Sequence, residues 1–207
     1  VGRDGFFSNF SVGDLLPASG GTVDVLVVGR HLTFASGNVT GGNVVYGTSG
    51  TVSQQVGIVD GTLRQGNPVD FNAAGAYLTA LSTQLAGYTT NGSTTMSGVT
   101  LTLNGADPFL NTFSVTAAQM TQTQEVYVNV PNGSVALINV AGDSIDWGGN
   151  LVVSGTPITN CMFNFHDAKK ITIQSIDVTG SVLAPLADVN FISGVQHGQM
   201  ICKSLSG

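Results

Sequence analysis

The feature that most constrains this chain is a series of short apolar or alternating runs, each bounded by Gly, Asn, Asp or Ser. Val and Ile are abundant in these runs, and their side chains alternate with a period of two, which is typical of β-strands. The runs occupy residues 23–28, 43–46, 99–103, 125–130, 134–140, 161–165, 170–173, 181–184 and 199–202. The sequence therefore predicts a mainly β fold.

The spacing of three runs distinguishes between two all-β architectures, a sandwich and a solenoid. Phe163, Val182 and Ile201 occupy equivalent places in their runs, and the step from the first to the second equals the step from the second to the third. A constant interval is expected when each coil of a solenoid adds one strand to a stack. We therefore expect an irregular right-handed β-helix, although the N-terminal half shows no clear interval.

One segment, residues 70–86, has the period of an α-helix. Its apolar residues recur three or four positions apart and form one stripe, which consists of Phe71, Ala74, Leu78, Leu81 and Leu85. Asp70 is a suitable N-cap, and Gly87 is expected to end the helix in a left-handed conformation. Because an isolated helix of this length is marginal, we expect it to pack along the solenoid through Phe71, Leu78, Leu81 and Leu85.

The composition excludes several classes of protein. Charged residues make up only 9% of the chain against a typical value of about 25%, whereas hydrophobic residues make up 42%. Disorder needs the opposite balance, and no apolar run approaches the roughly 20 residues of a membrane span. Six Lys and Arg in a chain of net charge −6 cannot form a nucleic-acid site or an anionic-membrane site. A surface built from Thr, Ser, Asn, Gln and Gly is typical of secreted or cell-surface β-proteins.

The chain resembles the choice-of-anchor A family, a surface domain also described as an ice-binding-like adhesive domain. The stretches that carry the resemblance are 25–29, 41–47, the helix at 70–86, 135–140, 163–165, 180–189 and 198–205, and Gly-Ser-Val-Leu-Ala-Pro at 180–185 is the most specific. The resemblance implies a right-handed β-helix with a flanking helix and display on a cell surface. It implies no established ligand and no catalytic residue. We expect residues 1–207 to form one domain, a module of a longer surface protein.

A loop with two carboxylates and the single Trp is the first candidate for ligand chemistry. Asp143, Asp146 and Trp147 could contact a glycan, with the indole stacked on a sugar ring. The alternative interpretation is a turn in which the Asp side chains bond to the backbone and the Trp packs over a strand. His166 and Asp167 are adjacent, but no second His or Cys stands at metal-ligand spacing. We therefore expect no catalytic residue, no metal site and no cofactor.

Three further sets of residues have functional interpretations. Phe6, Phe7 and Phe10 are either a cap over the first strands or a patch for self-association. N-glycosylation motifs occur at Asn9, Asn38, Asn91 and Asn132. Cys161 and Cys202 are either two buried thiols or a disulfide. Thr100 and Thr102 share one strand face, as an ice-binding surface would require, but no aligned rows of Thr follow them.

The sequence thus predicts a non-catalytic extracellular module for cell-surface adhesion or for assembly into a filament or matrix. Its expected partners are an extracellular glycan, a protein or copies of itself, without nucleic acid and without direct membrane insertion. Two alternatives remain: an ice-binding protein, and a carbohydrate-active enzyme of the β-helix type.

Overall fold

The computed structural model describes all 207 residues, and the protein is mainly β, as predicted. It contains two compact units, Val1–Ala76 and Tyr77–Gly207. Every paired strand runs parallel to its partner except in the pair formed by Ser93–Ser97 and Thr100–Asn104, which is antiparallel. Neither helix combines the length with the apolar character that a membrane-spanning helix requires. The expectation of a single domain stays a prediction.

The first unit contains seven strands in two parallel sheets. The strands are β1 (Gly5–Val12), β2 (Asp24–Val28), β3 (His31–Thr40), β4 (Asn43–Tyr46), β5 (Ser49–Val52), β6 (Val56–Val59) and β7 (Leu63–Gln65). One sheet joins β1 to β3, and β3 in turn to β5 and β6, while the other has the order β2-β4-β7. The chain alternates between the sheets from β1 to β5, stays in the first sheet for β6 and returns to the second with β7. Strands of both sheets contribute to a small core. The core consists of Phe7, Leu26, Val28, Leu32, Phe34, Val39 and Val44.

Helix α1 spans Phe71–Ala86, in agreement with the helical period of the sequence. Asp70 caps its N-terminus, because Oδ1 accepts hydrogen bonds from the backbone N–H groups of Asn72 (3.1 Å) and Ala73 (3.0 Å). The predicted left-handed stop at Gly87 is wrong, since Gly87 does not have a positive φ. Its N–H instead donates to the carbonyls of Thr83 and Gln84 and tightens the last turn.

The second unit contains thirteen strands and a short helix. In chain order these are β8 (Ser93–Ser97), β9 (Thr100–Asn104), β10 (Leu110–Thr116), α2 (Ala117–Gln122), β11 (Glu125–Asn129), β12 (Val135–Ala141), β13 (Ser144–Gly148), β14 (Asn150–Ser154), β15 (Cys161–Phe165), β16 (Lys170–Gln174), β17 (Ile176–Thr179), β18 (Ser181–Phe191), β19 (Gly194–His197) and β20 (Met200–Ser206). A 3-10 turn at Ile158–Asn160 precedes β15.

The strands of the second unit recur in a fixed order. From β9 to β16 the chain moves from the β9-β11-β14 ladder to the β10-β12-β15 ladder and then to the β13-β16 ladder, and begins again. We call each round through the three ladders a passage. In the first passage, helix α2 takes the position that a strand of the β13-β16 ladder has in the later ones. There Thr121 Oγ1 accepts a hydrogen bond from the N–H of Asp146 in β13. Residue 110 pairs with 135 and residue 136 with 161, so successive passages have the same length here.

The later passages are shorter, and one predicted register is wrong by one residue. Phe163 pairs with Val182 as the constant interval of the C-terminal runs predicts, but Val182 pairs with Met200 and not with Ile201. Ile201 pairs with Leu183, so it takes the opposite side of the sheet from the one predicted. The last interval is therefore one residue shorter than expected, and Met200 packs against the core in the place predicted for Ile201.

The core of the second unit is closely packed with aromatic side chains. Trp147 is fully buried, and its ring lies 4.8 Å from that of Phe163 and 5.7 Å from that of Phe165. Val, Ile and Leu from all three ladders surround this cluster. The inward sides of the sheets therefore pack on one continuous hydrophobic core.

Two buried asparagines dock helix α1 on the β10-β12-β15 ladder. The apolar stripe that was expected to do so is only half-buried at Leu78, Leu81 and Leu85, and the one fully buried helix side chain is that of Ser82. Ser82 donates its hydroxyl to Oδ1 of Asn164 (2.6 Å), and Asn139 Nδ2 donates to the carbonyl of Leu85 (2.9 Å). Polar contacts thus fix the helix, with the leucines packed around them.

Candidate functional site

One regular exposed surface of the second unit is the sheet β14-β11-β9-β8. Strand β11 pairs with β9 and with β14 over the whole length of each strand, without a register shift. Strand β8 continues the sheet by antiparallel pairing along all of β9. Equivalent side chains therefore line up across four strands at the usual strand spacing of about 4.8 Å.

Alternation along each strand divides the side chains between the core and the solvent. The inward residues are apolar apart from Thr94, and they include Leu101, Leu103, Val126 and Val128, which are fully buried. The outward residues are half-exposed or exposed. They are Ser93, Thr95, Ser97, Thr100, Thr102, Asn104, Glu125, Tyr127, Asn129, Asn150, Val152 and Ser154. We call this set of side chains the polar face.

The polar face carries hydroxyls and amides and almost no charge. All of its members are Ser, Thr or Asn except Glu125, Tyr127 and Val152, and Glu125 is its only charged side chain. The carboxylate of Glu125 accepts a hydrogen bond from the Thr100 hydroxyl (3.1 Å), and Asn129 Nδ2 donates to Asn104 Oδ1 (3.0 Å). These bonds join neighbouring strands and hold the side chains in place. The face is therefore an ordered array of groups that both donate and accept hydrogen bonds.

Two glycines allow β14 to approach β11 at its two ends. Gly149 has φ +94°, and a Cβ there would overlap the carbonyl oxygen of Gln124. Gly155 has φ +87°, and a Cβ there would overlap the carbonyl oxygen of Val130. Only glycine takes such a backbone conformation and such a close approach without strain. These two residues bracket the segment that aligns β14 with the rest of the polar face.

The structure corrects the predicted glycan contact at Trp147. The indole is fully buried against Phe163 and Phe165, so it cannot stack on a sugar. Asp143 and Asp146 are exposed, and the carboxylate of Asp143 lies 3.0 Å from Lys169 Nζ. The period-two alternation of β13 turns Ile145 and Trp147 inward and Asp146 outward. Asp146 and the indole ring therefore lie on opposite sides of one strand.

The three Phe near the N-terminus also separate. Phe7 is buried in the core of the first unit, with its ring 5.4 Å from that of Phe34 and 5.7 Å from that of Phe10. It is not available to a second copy, so its predicted role in self-association is wrong. Phe6 is 67% exposed and Phe10 36% exposed. Self-association through these two residues stays a prediction.

The four asparagines of the N-glycosylation motifs are all exposed. Asn91 is the most constrained, since its amide donates to the carbonyl of Leu110 (2.9 Å) and accepts from the N–H of Thr112 (2.8 Å). Asn9 has a left-handed backbone with φ 55°. Asn38 lies in β3, and Asn132 lies in the turn before β12. Their modification stays a prediction.

The two cysteines are free thiols rather than a disulfide. Burial raises the pKa of Cys161 to about 12 and that of Cys202 to about 11. His166 Nδ1 lies 3.7 Å from the carboxylate of Asp167. No group of three or more His, Cys, Asp or Glu side chains is arranged to hold a metal ion.

Comparison with known proteins identifies the family of this chain. The chain matches the family described as "Putative Ice-binding-like adhesive domain" over residues 1–207. The chain belongs to this family. No curated protein matches it significantly.

Two solved structures align with most of the chain. One is an ice-binding protein from an Antarctic biological consortium, with a TM-score of 0.51 and 18% identity over 92% of this chain and 86% of that chain. The other is an ice-binding protein from the Antarctic ascomycete Antarctomyces psychrotrophicus, with a TM-score of 0.38 and 14% identity over 87% of this chain and 89% of that chain. At this identity the first likeness concerns the fold alone, and it fits a curled, mainly parallel sheet.

Sequence reasoning recognised only a fragment of the polar face. The alternation along the chain predicts that Thr100 and Thr102 share one strand face, but it does not identify their neighbours across the sheet. A signal exists, because residues 100, 125 and 150 pair in turn, as do residues 102, 127 and 152. This interval is longer than the one between the C-terminal runs, which gives the predicted spacing of the strands. It is also hard to see because the aligned residues differ in type.

Proposed function

We propose that this family member is a non-catalytic adhesive module, displayed outside the cell, that binds its target across the polar face. The observation that carries the proposal is the array of aligned outward side chains on four strands. An exposed array with a single charge is suited to contact with an extended surface. Membership of a family of ice-binding-like adhesive domains and the low charge of the chain support an extracellular site of action.

We infer that the second unit is a right-handed β-solenoid with helix α1 along one flank. The fixed order in which the chain visits its ladders supports coiling, and crossovers between parallel strands are right-handed in about 98% of cases. The bonds of Ser82 and Leu85 to the asparagines of β15 and β12 support the position of the helix. A coiled sheet around an aromatic core would present the polar face in one fixed geometry, which lowers the entropic cost of binding.

The chemistry of the polar face argues against an enzyme. Glycoside hydrolysis usually requires a pair of carboxylates on either side of the bond that is cleaved. The polar face has one carboxylate, Glu125, and it already accepts a hydrogen bond from Thr100. Asp143, outside the face, is next to Lys169. We therefore assign binding rather than turnover.

Ice is the second candidate target, and one pair of residues favours it. Thr95 in β8 lies directly opposite Thr102 in β9, which gives two adjacent Thr on the outward side of the sheet. The solved structure from the Antarctic consortium, which shares the fold, is described as an ice-binding protein. Tyr127 weakens this candidate, since a large aromatic side chain interrupts the small hydroxyl and methyl groups beside it.

The test is an attachment assay in which beads carry the full chain. The beads are exposed under flow to surfaces coated with bacterial cell walls, fungal cell walls, extracellular-matrix proteins or ice. Thr102→Lys places a long charged side chain on the polar face. Thr172→Lys is the matched control, since Thr172 is half-exposed on β16, a strand outside that sheet.

We expect wild-type beads to attach to at least one surface and to detach about tenfold more readily with Thr102→Lys, because a buried unpaired charge weakens an interface. Thr172→Lys should behave like wild type. Equal attachment of the two variants, or no attachment of the wild type to any surface, would contradict the proposal.

A further inference from the structure

The central strand of the polar face carries an aromatic side chain with polar neighbours. Tyr127 lies in β11 and is half-exposed, and its direct partners across the sheet are Thr102 in β9 and Val152 in β14. The next outward residue along β11 is Asn129, which donates to Asn104. Tyr127 is the only aromatic residue of the polar face.

The hydrogen bond between the two asparagines leaves part of each amide available. Asn129 uses Nδ2 as its donor and Asn104 uses Oδ1 as its acceptor. Oδ1 of Asn129 and Nδ2 of Asn104 therefore remain to bind a ligand. An acceptor and a donor side by side fit a ligand whose groups both donate and accept, as sugar hydroxyls do.

The charge of the face restricts the ligand further. The polar face contains no Lys, Arg or His, so an anionic polymer would find no counter-charge there. The net charge of −6 would also repel such a polymer. The only negative charge available to a cationic ligand is that of Glu125, whose carboxylate already accepts a hydrogen bond from Thr100. The ligand that best fits the polar face is therefore an uncharged one with many hydroxyls.

We propose that the polar face binds a neutral polysaccharide, with one sugar ring stacked on Tyr127 and neighbouring hydroxyls bonded to Asn104 and Asn129. The apolar face of a sugar ring packs on an aromatic ring, while the hydroxyl at the end of Tyr127 can bind at its edge. Thr102 and the exposed Val152 flank the ring on the adjacent strands. This inference rests on the proposed adhesive function and names the chemical class of its ligand.

The experiment is affinity electrophoresis of the full chain in native gels that contain a soluble polysaccharide. Neutral glucans, mannans, xylans and hydroxyethyl cellulose form one arm, and the anionic polymers alginate and pectate form the other. The variants are Tyr127→Ala, Tyr127→Phe and Asn129→Ala. Tyr77→Ala is the matched control, since Tyr77 is 66% exposed on helix α1. Far-UV circular dichroism and thermal melts verify that each variant folds.

We expect at least one neutral polysaccharide to slow the wild type, and no anionic polymer to do so. Tyr127→Ala should raise Kd about tenfold, the size of a lost aromatic contact. Tyr127→Phe should stay within about threefold because it keeps the ring. Asn129→Ala should weaken binding, and Tyr77→Ala should not change it.

Three results would overturn the inference: no slowing by any neutral polymer, binding by Tyr127→Ala equal to that of the wild type, or a preference for the anionic arm. The flow assay shows whether such a result overturns only the polysaccharide inference or also the proposed adhesive function. If Thr102→Lys beads detach but soluble neutral polysaccharide does not compete, the polar face is adhesive and its ligand belongs to another class. Loss of attachment to ice alone in that assay would overturn the polysaccharide inference and identify ice as the target.

Discussion

Asn164 and Asn139 are joined by a buried hydrogen bond of 2.8 Å between neighbouring strands, in which Asn164 is the donor. The same Nδ2 of Asn164 also donates to the carbonyl of Ser82 in helix α1 (2.9 Å). Through Asn139 the pair reaches the carbonyl of Leu85 in the last turn of the helix, which also accepts a hydrogen bond from the N–H of Tyr88. Two amides thus fix both the position and the last turn of the helix.

Replacing Asn164 with Ala should destabilise the protein by about 3 kcal/mol. The change leaves the Ser82 hydroxyl and Asn139 Oδ1 buried without a partner, and each such group costs about 1–3 kcal/mol. The measurement is the free energy of unfolding in urea. Asn150→Ala is the control, since Asn150 is exposed on β14, and it should change stability by less than about 0.5 kcal/mol. Equal effects of the two variants would show that the asparagine pair does not hold the helix.

The sequence predicts the existence and bounds of helix α1 well but not the way it is held. Its period, its length and the cap at Asp70 are local properties, and local properties can be read from the sequence. Ser82, which makes the decisive contact, lies far along the chain from its partner Asn164. Nothing near Ser82 in the sequence indicates that partner. The sequence therefore predicts that the leucines of the stripe dock the helix, although in the structure they are only half-buried.

Trp147 should behave as a core residue and not as a ligand contact. Trp147→Ala should cost about 4 kcal/mol, whereas Trp147→Phe should cost much less, because the buried Nε1 has no hydrogen-bond partner to lose. The fluorescence of this single Trp should be blue-shifted and weakly quenched by acrylamide. Strong quenching of the native protein that decreases when polysaccharide is added would contradict its placement.

Stability should fall at alkaline pH because the thiol of Cys161 ionises more readily in the unfolded chain than in its buried native position. The folded-state pKa of Cys161 is about 12 and its ordinary value is 9.0, so the stabilising effect is complete below pH 9 and is lost between about pH 9 and 12. By pH 10.5 the wild type should lose about 2 kcal/mol more than Cys161→Ala, relative to pH 7. Urea unfolding of both proteins across this range measures the difference. Parallel pH profiles of the two proteins would show that Cys161 ionises freely in the native state.

The register of the strands marks a second limit of sequence reasoning. The step from Phe163 to Val182 follows from the pattern, but the next step is one residue shorter. The shortening lies within β18, where the stretch from Leu183 to Asp188 is one residue shorter than its counterpart from Asn164 to Lys170. A shift of one residue moves every side chain to the other side of a sheet, so Ile201 is misplaced although its strand is correct. The polar face is hard to predict from the sequence for a related reason, since its strands repeat at the longer interval that separates Thr100 from Glu125.

The central claim, that binding takes place on the polar face, is tested most directly by hydroxyl-radical footprinting of the tyrosines. The full chain is labelled free and bound to cell-wall fragments that retain it, and the modification rate of each Tyr is measured by mass spectrometry. We predict that the rate at Tyr127 falls several-fold on binding, while the rate at Tyr77 on helix α1 does not change. Protection of Tyr77 with an unchanged rate at Tyr127 would contradict the account.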